Sequence, residues 1–296
     1  MNWSFVPVSE FESLASSWDT LNEASFRSPV LCSDFVIPLL DVFSGGEETI
    51  AILKDNESVL AMGIFHKANA ISWSTFQPSQ APLGLWLNKP GIDLKKALSN
   101  LASGLGGAML LIGIQQQDPD HLIIENNGNL EKLPYIDTAR VTVAGSFEDY
   151  WARRGKNLRH NMKRQRKRLE KEETQPQLEI ITSVTDISKA IEEYGQLEIK
   201  GWKNEIGTAV SRENQQGKFY ISMLERMCRK NNGRIYKYYY NDDLVCVDIC
   251  VHLYGVIVIL KTTYDEDIKT SSPAFLMRQE VFNIIFDKQE FDRIEF

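Results

Sequence analysis

The sequence predicts an α+β (mixed α/β) protein made of two units, each a mainly antiparallel sheet covered by helices. Two observations carry this prediction. At 296 residues the chain is comfortable for two domains of ordinary size. The order helix, helix, antiparallel strands, helix, strand recurs in both halves. The join falls near Asp137 to Ser146, giving an N-terminal unit over 1–140 and a C-terminal unit over 141–296.

In the first half, Ser9 opens a helix to about Phe26, with Phe11, Leu14, Ala15, Trp18 and Leu21 recurring at helical spacing. A second helix runs from Ser33 to Phe43 and is stopped by Gly45-Gly46. Ile50 to Leu53 and Val59 to Phe65 read as strands paired about the turn Lys54-Asp55-Asn56-Glu57. Asp93 caps a helix through Leu101, and Ala108 to Ile114 reads as a buried strand. Gly104, Gly106 and Gly107 precede that strand, so they read as a helix stop and not as a phosphate loop.

In the second half, Ser146 with Asp149 three residues on resembles a capping box and launches one long helix over 146–173. Trp151, Leu158, Met162 and Leu169 form its narrow apolar stripe. Pro176 ends it, Leu178 to Ile181 is a strand, and helices follow from Thr185 to about Lys200 and from about Asn214 to Arg229. A meander then runs through Arg234 to Tyr240, Leu244 to His252 and Val256 to Thr263. In it Tyr236, Tyr238 and Tyr240 alternate as core positions. Ser272-Pro273 starts the last helix, with Pro at the first helical position, and Arg293 to Phe296 begins a strand.

Charge is unevenly distributed. Ten of the 33 Lys and Arg residues lie between Arg153 and Lys171, with Glu170 the single carboxylate among them. The whole chain carries −7, so the rest of it carries −16. Such a segregated basic helix suits an anionic partner: a phosphate-bearing cofactor, an acidic glycan or a nucleic acid. The plain alternative is a solvated helix face. Cysteines at 32, 228, 246 and 250 form no CxxC pair, and histidines at 66, 121, 160 and 252 lack zinc-like spacing. The N-terminus has no signal-like apolar stretch, and the longest apolar runs are too short to span a bilayer. A cytoplasmic protein without metal, disulfides or membrane insertion is expected.

The run Val256 to Asp265, a loop, and Thr270 to Phe275 is the most suggestive site. A strand feeding a helix through a polar loop presents backbone N–H groups and the positive end of the helix dipole, which suits a phosphate. Lys269, Thr270, Ser271 and Ser272 add side-chain donors; the alternative is that Ser272 only caps its helix. Lys261 and Asp265 share the parity that places both on one face of an extended run, where a surface ion pair is the simpler role.

Four phrases occur in order: Ser146-Phe-Glu-Asp-Tyr-Trp151; Lys156-Asn-Leu-Arg-His-Asn161 with its basic tail; Gly201-Trp202-Lys203 followed by Gly207-Thr208-Ala209; and Leu260-Lys261, Tyr264-Asp265, Ser272-Pro273. Together they resemble the GNAT-superfamily acyltransferases of the CelD/BcsL type, distant relatives of the FemAB peptidoglycan aminoacyl transferases. The match covers about 146–296, and the first half matches more loosely around Trp18, Leu21 and Ser28-Pro29. The resemblance implies two tandem GNAT-like domains, an acyl-CoA (acetyl-CoA) donor and a role in polysaccharide or cell-envelope synthesis.

It places the pantetheine arm along Leu260 to Thr263 and the pyrophosphate on Lys269, Thr270, Ser271, Ser272 and Ala274, with Thr263 also on the donor. Lys261, Tyr264 and Asp265 would line the reaction cleft. For acyl transfer Asp265 is one candidate base, the alternative being that its carboxylate orients Lys261. Trp202, Lys203 and Thr208 are the other matched positions. Arg159, Lys163 and Arg166 would meet the donor's phosphates or an anionic acceptor, a small molecule or glycan. Ser-Pro-Ala stands where such enzymes often have glycine. Relatives continue past a position like Phe296, so a shortened sheet edge is expected. Two other readings stand beside acyl transfer: an aminoacyl-tRNA donor held by Arg153 to Lys171, and a non-catalytic protein binding an anionic glycan or a synthase partner.

Overall fold

The computed structural model describes residues 2–105, 110–122, 128–200 and 209–296. The chain divides into two compact units, Met1–Asp137 and Thr138–Phe296.

The first unit runs β1 (Asn2–Pro7), a 3-10 turn (Val8–Glu10), α1 (Phe11–Ala24), a second 3-10 turn (Pro29–Leu31), α2 (Ser33–Phe43), β2 (Thr49–Asp55), β3 (Ser58–Asn69), β4 (Ser72–Thr75), β5 (Trp86–Asn88), α3 (Leu94–Gly104) and β6 (Leu111–Gly113). The sheet order is β1-β2-β3-β4-β6, with β5 on β3. All pairings are antiparallel except β4 with β6. Trp18, Phe26, Phe35, Phe65 and Trp86 are fully buried and centre its core. Two expectations shift. The helix expected at Ser9 begins at Phe11, because Val8–Glu10 takes the tighter 3-10 turn. Of the buried strand expected over 108–114, the described part is Leu111–Gly113, and its Leu111 is 65% exposed because the strand lies at the sheet edge. Gly106, Gly107 and Ala108 lie outside the described residues.

The second unit runs β7 (Arg140–Thr142), α4 (Phe147–Ala152), α5 (Lys156–Lys171), β8 (Pro176–Ile181), α6 (Val184–Lys200), α7 (Gln215–Arg229), β9 (Gly233–Tyr240), β10 (Asp243–Leu253), β11 (Val256–Tyr264), α8 (Pro273–Lys288) and β12 (Arg293–Glu295). Its sheet order is β7-β12-β11-β10-β9-β8, antiparallel except β11 with β12. One face packs on α8, α4 and α5 through Tyr236, Tyr238, Tyr240, Cys246, Cys250, Ile257 and Ile259. The other face is covered by α6 and α7. β12 is bordered on its other side by β7, through Arg293↔Thr142, Ile294↔Val141 and Glu295↔Arg140.

The single helix expected over 146–173 is two helices. Ser146 caps α4 by accepting the Asp149 N–H at 3.1 Å. The chain then leaves helical geometry at Gly155, whose ψ is 138°. Glycine is a weak helix former, and here it resets the direction of the basic segment. In α5 only Met162 and Leu169 are buried, so a two-residue apolar seam seats a helix that is otherwise charged.

Candidate functional site

The strand β11, the loop 265–272, α8 and β12 form one strand–helix–parallel strand crossover. β12 pairs with β11 only at Val256, Ile257 and Val258. Beyond that point Ile259 to Tyr264 pairs with β10 on one side, and among the described residues no second strand joins it on the other. Among the described residues, then, no strand covers the β11 edge over the stretch that leads into the loop and the start of α8.

The loop is set by its own polar groups. The Asp265 carboxylate accepts the Asp267 N–H at 3.0 Å, and the Asp265 N–H donates to the Val245 carbonyl at 2.9 Å. This is an Asx turn that begins just after β11 ends. Ser271 is buried, and its hydroxyl is bonded to that of Tyr240 at 2.8 Å. The Ser272 N–H donates to Gln165 Oε1 at 3.1 Å, while Gln165 Nε2 donates to Ser272 Oγ at 3.4 Å. Ser272 stands at the cap position of α8, yet its hydroxyl caps nothing. Gln165 of α5 supplies the cap.

Two depressions flank α5. One, of about 370 Å³, is lined by Arg164, Gln165, Arg168, Lys269 and Thr270. The other, of about 430 Å³, is lined by Trp151, Arg159, Lys163, Arg166, Lys167, Glu170 and Gln279. Helical spacing explains the division: Arg164 and Arg168 recur at i, i+4 on one flank of the apolar seam, Arg159, Lys163 and Lys167 on the other. Arg166 is tied to α8, donating to Glu280 Oε1 at 2.9 Å and to Gln279 Oε1 at 3.1 Å.

Behind the open edge lie two buried polar clusters, one on each face of the sheet. Toward α6 and α7, Lys261 pairs with Glu198 at 3.3 Å, and its ammonium sits over the Tyr194 and Tyr220 rings at 5.7 and 5.6 Å. Glu198 also accepts the Tyr194 hydroxyl at 3.1 Å and the Val210 N–H at 2.8 Å. Burial, reinforced by the Glu198 charge, pushes both tyrosine hydroxyls far up in pKa. Toward α8, Asp248 accepts the Thr262 hydroxyl at 2.6 Å and pairs with Arg278 at 3.2 Å. Burial raises the Asp248 carboxyl, against the pull of Arg278 and Thr262.

The expected site residues therefore separate. Lys269 and Thr270 line the cleft beside α5, although Lys269 Nζ also donates to the Glu266 carbonyl at 2.7 Å. Tyr264 is exposed on the open edge, Thr263 is buried within β11, and Ala274 is half-buried in the first turn of α8. Lys261 and Asp265 do not share a strand face as expected. β11 stops at Tyr264, Asp265 turns into the loop, and Lys261 has a buried acid as its partner. Ser271 is turned inward to Tyr240. Arg159 and Lys163 face the other flank of α5 from the loop, and Arg166 is spent on Glu280. Trp202, Lys203 and Thr208 lie outside the described residues. Sequence reasoning missed Arg164, Gln165, Arg168 and Glu198. The first three carried a signal in the i, i+4 register of α5 relative to Met162 and Leu169; Glu198 carried none.

Among the described residues no helix is long and apolar enough to cross a membrane. No curated protein sequence matches the chain. Solved structures do match it in fold. FemX aligns with TM-score 0.61 at 8% identity, over 100% of this chain and 88% of that one. A conserved protein of unknown function from Bacteroides thetaiotaomicron aligns with TM-score 0.52 at 12% identity, over 95% and 87%. The C-terminal domain of a putative lysylphosphatidylglycerol synthetase from Agrobacterium fabrum aligns with TM-score 0.50 at 8% identity, over 97% and 78%. Identities this low speak for the fold alone. The chain folds as two tandem GNAT-like units, and residues 156–296 match the model of the Acetyltransferase (GNAT) domain family.

Proposed function

We propose that the C-terminal unit transfers an acyl group, acetyl in the simplest case, from acyl-CoA to the amine or hydroxyl of a small molecule or glycan. The CelD/BcsL-like phrases favour an acceptor in polysaccharide or cell-envelope synthesis. One observation carries the reading: the open edge of β11 runs straight into a cleft lined by Arg164, Arg168 and Lys269. An amide-bearing pantetheine arm has backbone groups to pair with along Ile259 to Tyr264, and its phosphates meet cations where that edge ends. The donor set fits the molecule.

In the transfer, the acceptor N or O attacks the thioester carbonyl carbon. A C–N or C–O bond forms, the C–S bond breaks, and the coenzyme leaves as the thiol. The acceptor's proton passes to Asp265, at the end of the open edge, and from there to the departing sulfur. Lys261 holds the wall behind the edge through Glu198 and takes no proton in this scheme. Asp265→Asn keeps the Asx turn, so it isolates proton transfer. Turnover should fall about a hundredfold or more while CoA affinity stays unchanged; unchanged turnover removes Asp265 from the mechanism.

Calorimetric titration with acetyl-CoA and with free CoA tests the donor. Micromolar binding of both is the expected result, and no binding of either overturns it. The second depression favours one further reading, because Arg159, Lys163 and Lys167 form a cationic row beside Trp151. That row suits the backbone of an aminoacyl-tRNA donor, whose binding must weaken steeply with salt. Gel shifts at low salt that show no tRNA affinity dispose of it.

A further inference from the structure

We propose that phosphate recognition in this unit rests on the side chains of α5, with Arg164 and Arg168 as a guanidinium clamp, and not on the first turn of α8. This inference rests on the acyl-CoA reading and specifies what holds the donor. A helix N-terminus binds anions through its free N–H groups. In α8 all but one of those groups are engaged or missing. The Ser272 N–H is bound to Gln165, Pro273 has none, and the Phe275 and Leu276 N–H groups both donate to the Ser272 carbonyl at 3.0 and 3.1 Å. Only Ala274 keeps an N–H in that turn with no hydrogen bond to another described residue.

The charge of the cleft comes instead from across it. Arg164 and Arg168 project from successive turns of α5, about 6 Å apart along the axis, a spacing that suits two linked phosphates. Arg168 Nε pairs with Glu172 at 2.7 Å in an exposed i, i+4 contact of little energy, leaving its two terminal nitrogens for a ligand. Lys269 and Thr270 close the opposite wall. Arg166, between the two arginines in sequence, is neutralised by Glu280 and adds nothing to the cleft. Gln165 acts through its neighbours as a positioning residue: its amide seats α5 against the start of α8 and so sets the arginines over the loop. The arrangement also accounts for Ser-Pro-Ala at the start of α8. A turn whose leading amide is bound to Gln165 and whose next residue is proline has no need of glycine for close phosphate approach.

The test is calorimetric titration of the full chain with inorganic pyrophosphate, CoA and phosphate-free pantetheine. The wild type is compared with Arg164→Gln/Arg168→Gln and with Lys156→Gln/Lys171→Gln, which removes the same charge from the same helix outside the cleft. Circular dichroism melts confirm that each variant folds. The arginine pair should lose at least about tenfold in affinity for pyrophosphate and CoA, as expected for lost charge-assisted contacts. Its pantetheine binding should be unchanged, and the lysine pair should stay within about twofold of wild type on pyrophosphate and CoA. Equal losses in both variants would reduce the effect to general electrostatics and overturn the clamp. CoA binding retained by the arginine pair overturns the clamp and leaves the acyl-CoA reading standing. Pyrophosphate binding that depends on the arginines, with no CoA binding by the wild type, supports the clamp and overturns that reading. Wild type that binds neither overturns both.

Discussion

In each unit the chain crosses over through a helix to a parallel strand, by way of the extra strand β5 in the first, and the two treat the space beyond the parallel pair in opposite ways. In the first unit β4 and β6 pair at Ser72↔Leu111, Trp73↔Ile112 and Ser74↔Gly113. The chain itself then fills the divergence. The Gln115 N–H donates to Thr75 Oγ1 at 3.0 Å, the Gly84 N–H donates to the Gln115 carbonyl at 3.2 Å, and Gln117 Nε2 donates to the Gly84 carbonyl at 2.9 Å. In the second unit β11 and β12 also pair over three residues, but Ile259 to Tyr264 runs on with no strand on that edge among the described residues. The lesson is that one topology yields a sealed wall or an uncovered edge according to whether a neighbouring loop supplies backbone partners. Gly84 is the residue that permits the seal, because a Cβ there would come within 2.6 Å of the Gln115 carbonyl and also strike Thr75.

The comparison can be broken or sharpened at four places. The largest effect is expected at Glu198, the 3% exposed acid that anchors Lys261 behind that edge. Glu198→Ala removes the buried acid that binds Lys261, the Tyr194 hydroxyl and the Val210 N–H, and should cost about 3–5 kcal/mol in urea denaturation of the second unit. Next is Gly84→Val, which forces the plug of the first unit apart and should cost about 1–3 kcal/mol there, with CoA binding by the second unit unaltered. If CoA binding fell as well, the CoA site would not belong to the second unit alone.

The third concerns pH. Burial and the nearby Arg234 hold His252 down at about 4, against its ordinary value of about 6.5. A depressed folded-state value means the unfolded chain takes up the proton first, so stability falls as pH drops from about 6.5 toward 4. His252→Gln keeps an acceptor for the Arg234 guanidinium, which lies 3.1 Å from His252 Nε2. It should flatten that stretch of the stability profile by roughly 1 kcal/mol, a figure reduced for partial solvent contact. The smallest change is in amide exchange. Adding CoA should slow exchange at 259–264 and leave 72–75 and 111–117 unaffected; protection in both units would mean both bind.

Much of this was legible from the chain. The meander, the alternation of Tyr236, Tyr238 and Tyr240, the Ser272-Pro273 helix start and the apolar seam of α5 follow from local periodicity and turn chemistry. What escaped was short or distant. β4, β5 and β7 are only three or four residues long, too few for a pattern, and exist because a neighbouring strand holds them. The break at Gly155 was hidden by the strong helix formers around it. Lys261 finds Glu198 and Gln165 finds Ser272 across 63 and 107 residues, and nothing local foretells either contact. The basic helix was visible as a charge; which of its cations face the loop is decided by where Met162 and Leu169 are buried.

The open edge of β11 has a cost as well as a use. A strand edge that no other strand covers among the described residues, as along Ile259 to Tyr264, is a template for any stray strand, including one from a second copy of the chain. A ligand lying along that edge would act as a shield against self-association. The apo protein should then be the form most prone to clump at high concentration, and the donor substrate the simplest additive to keep it monodisperse.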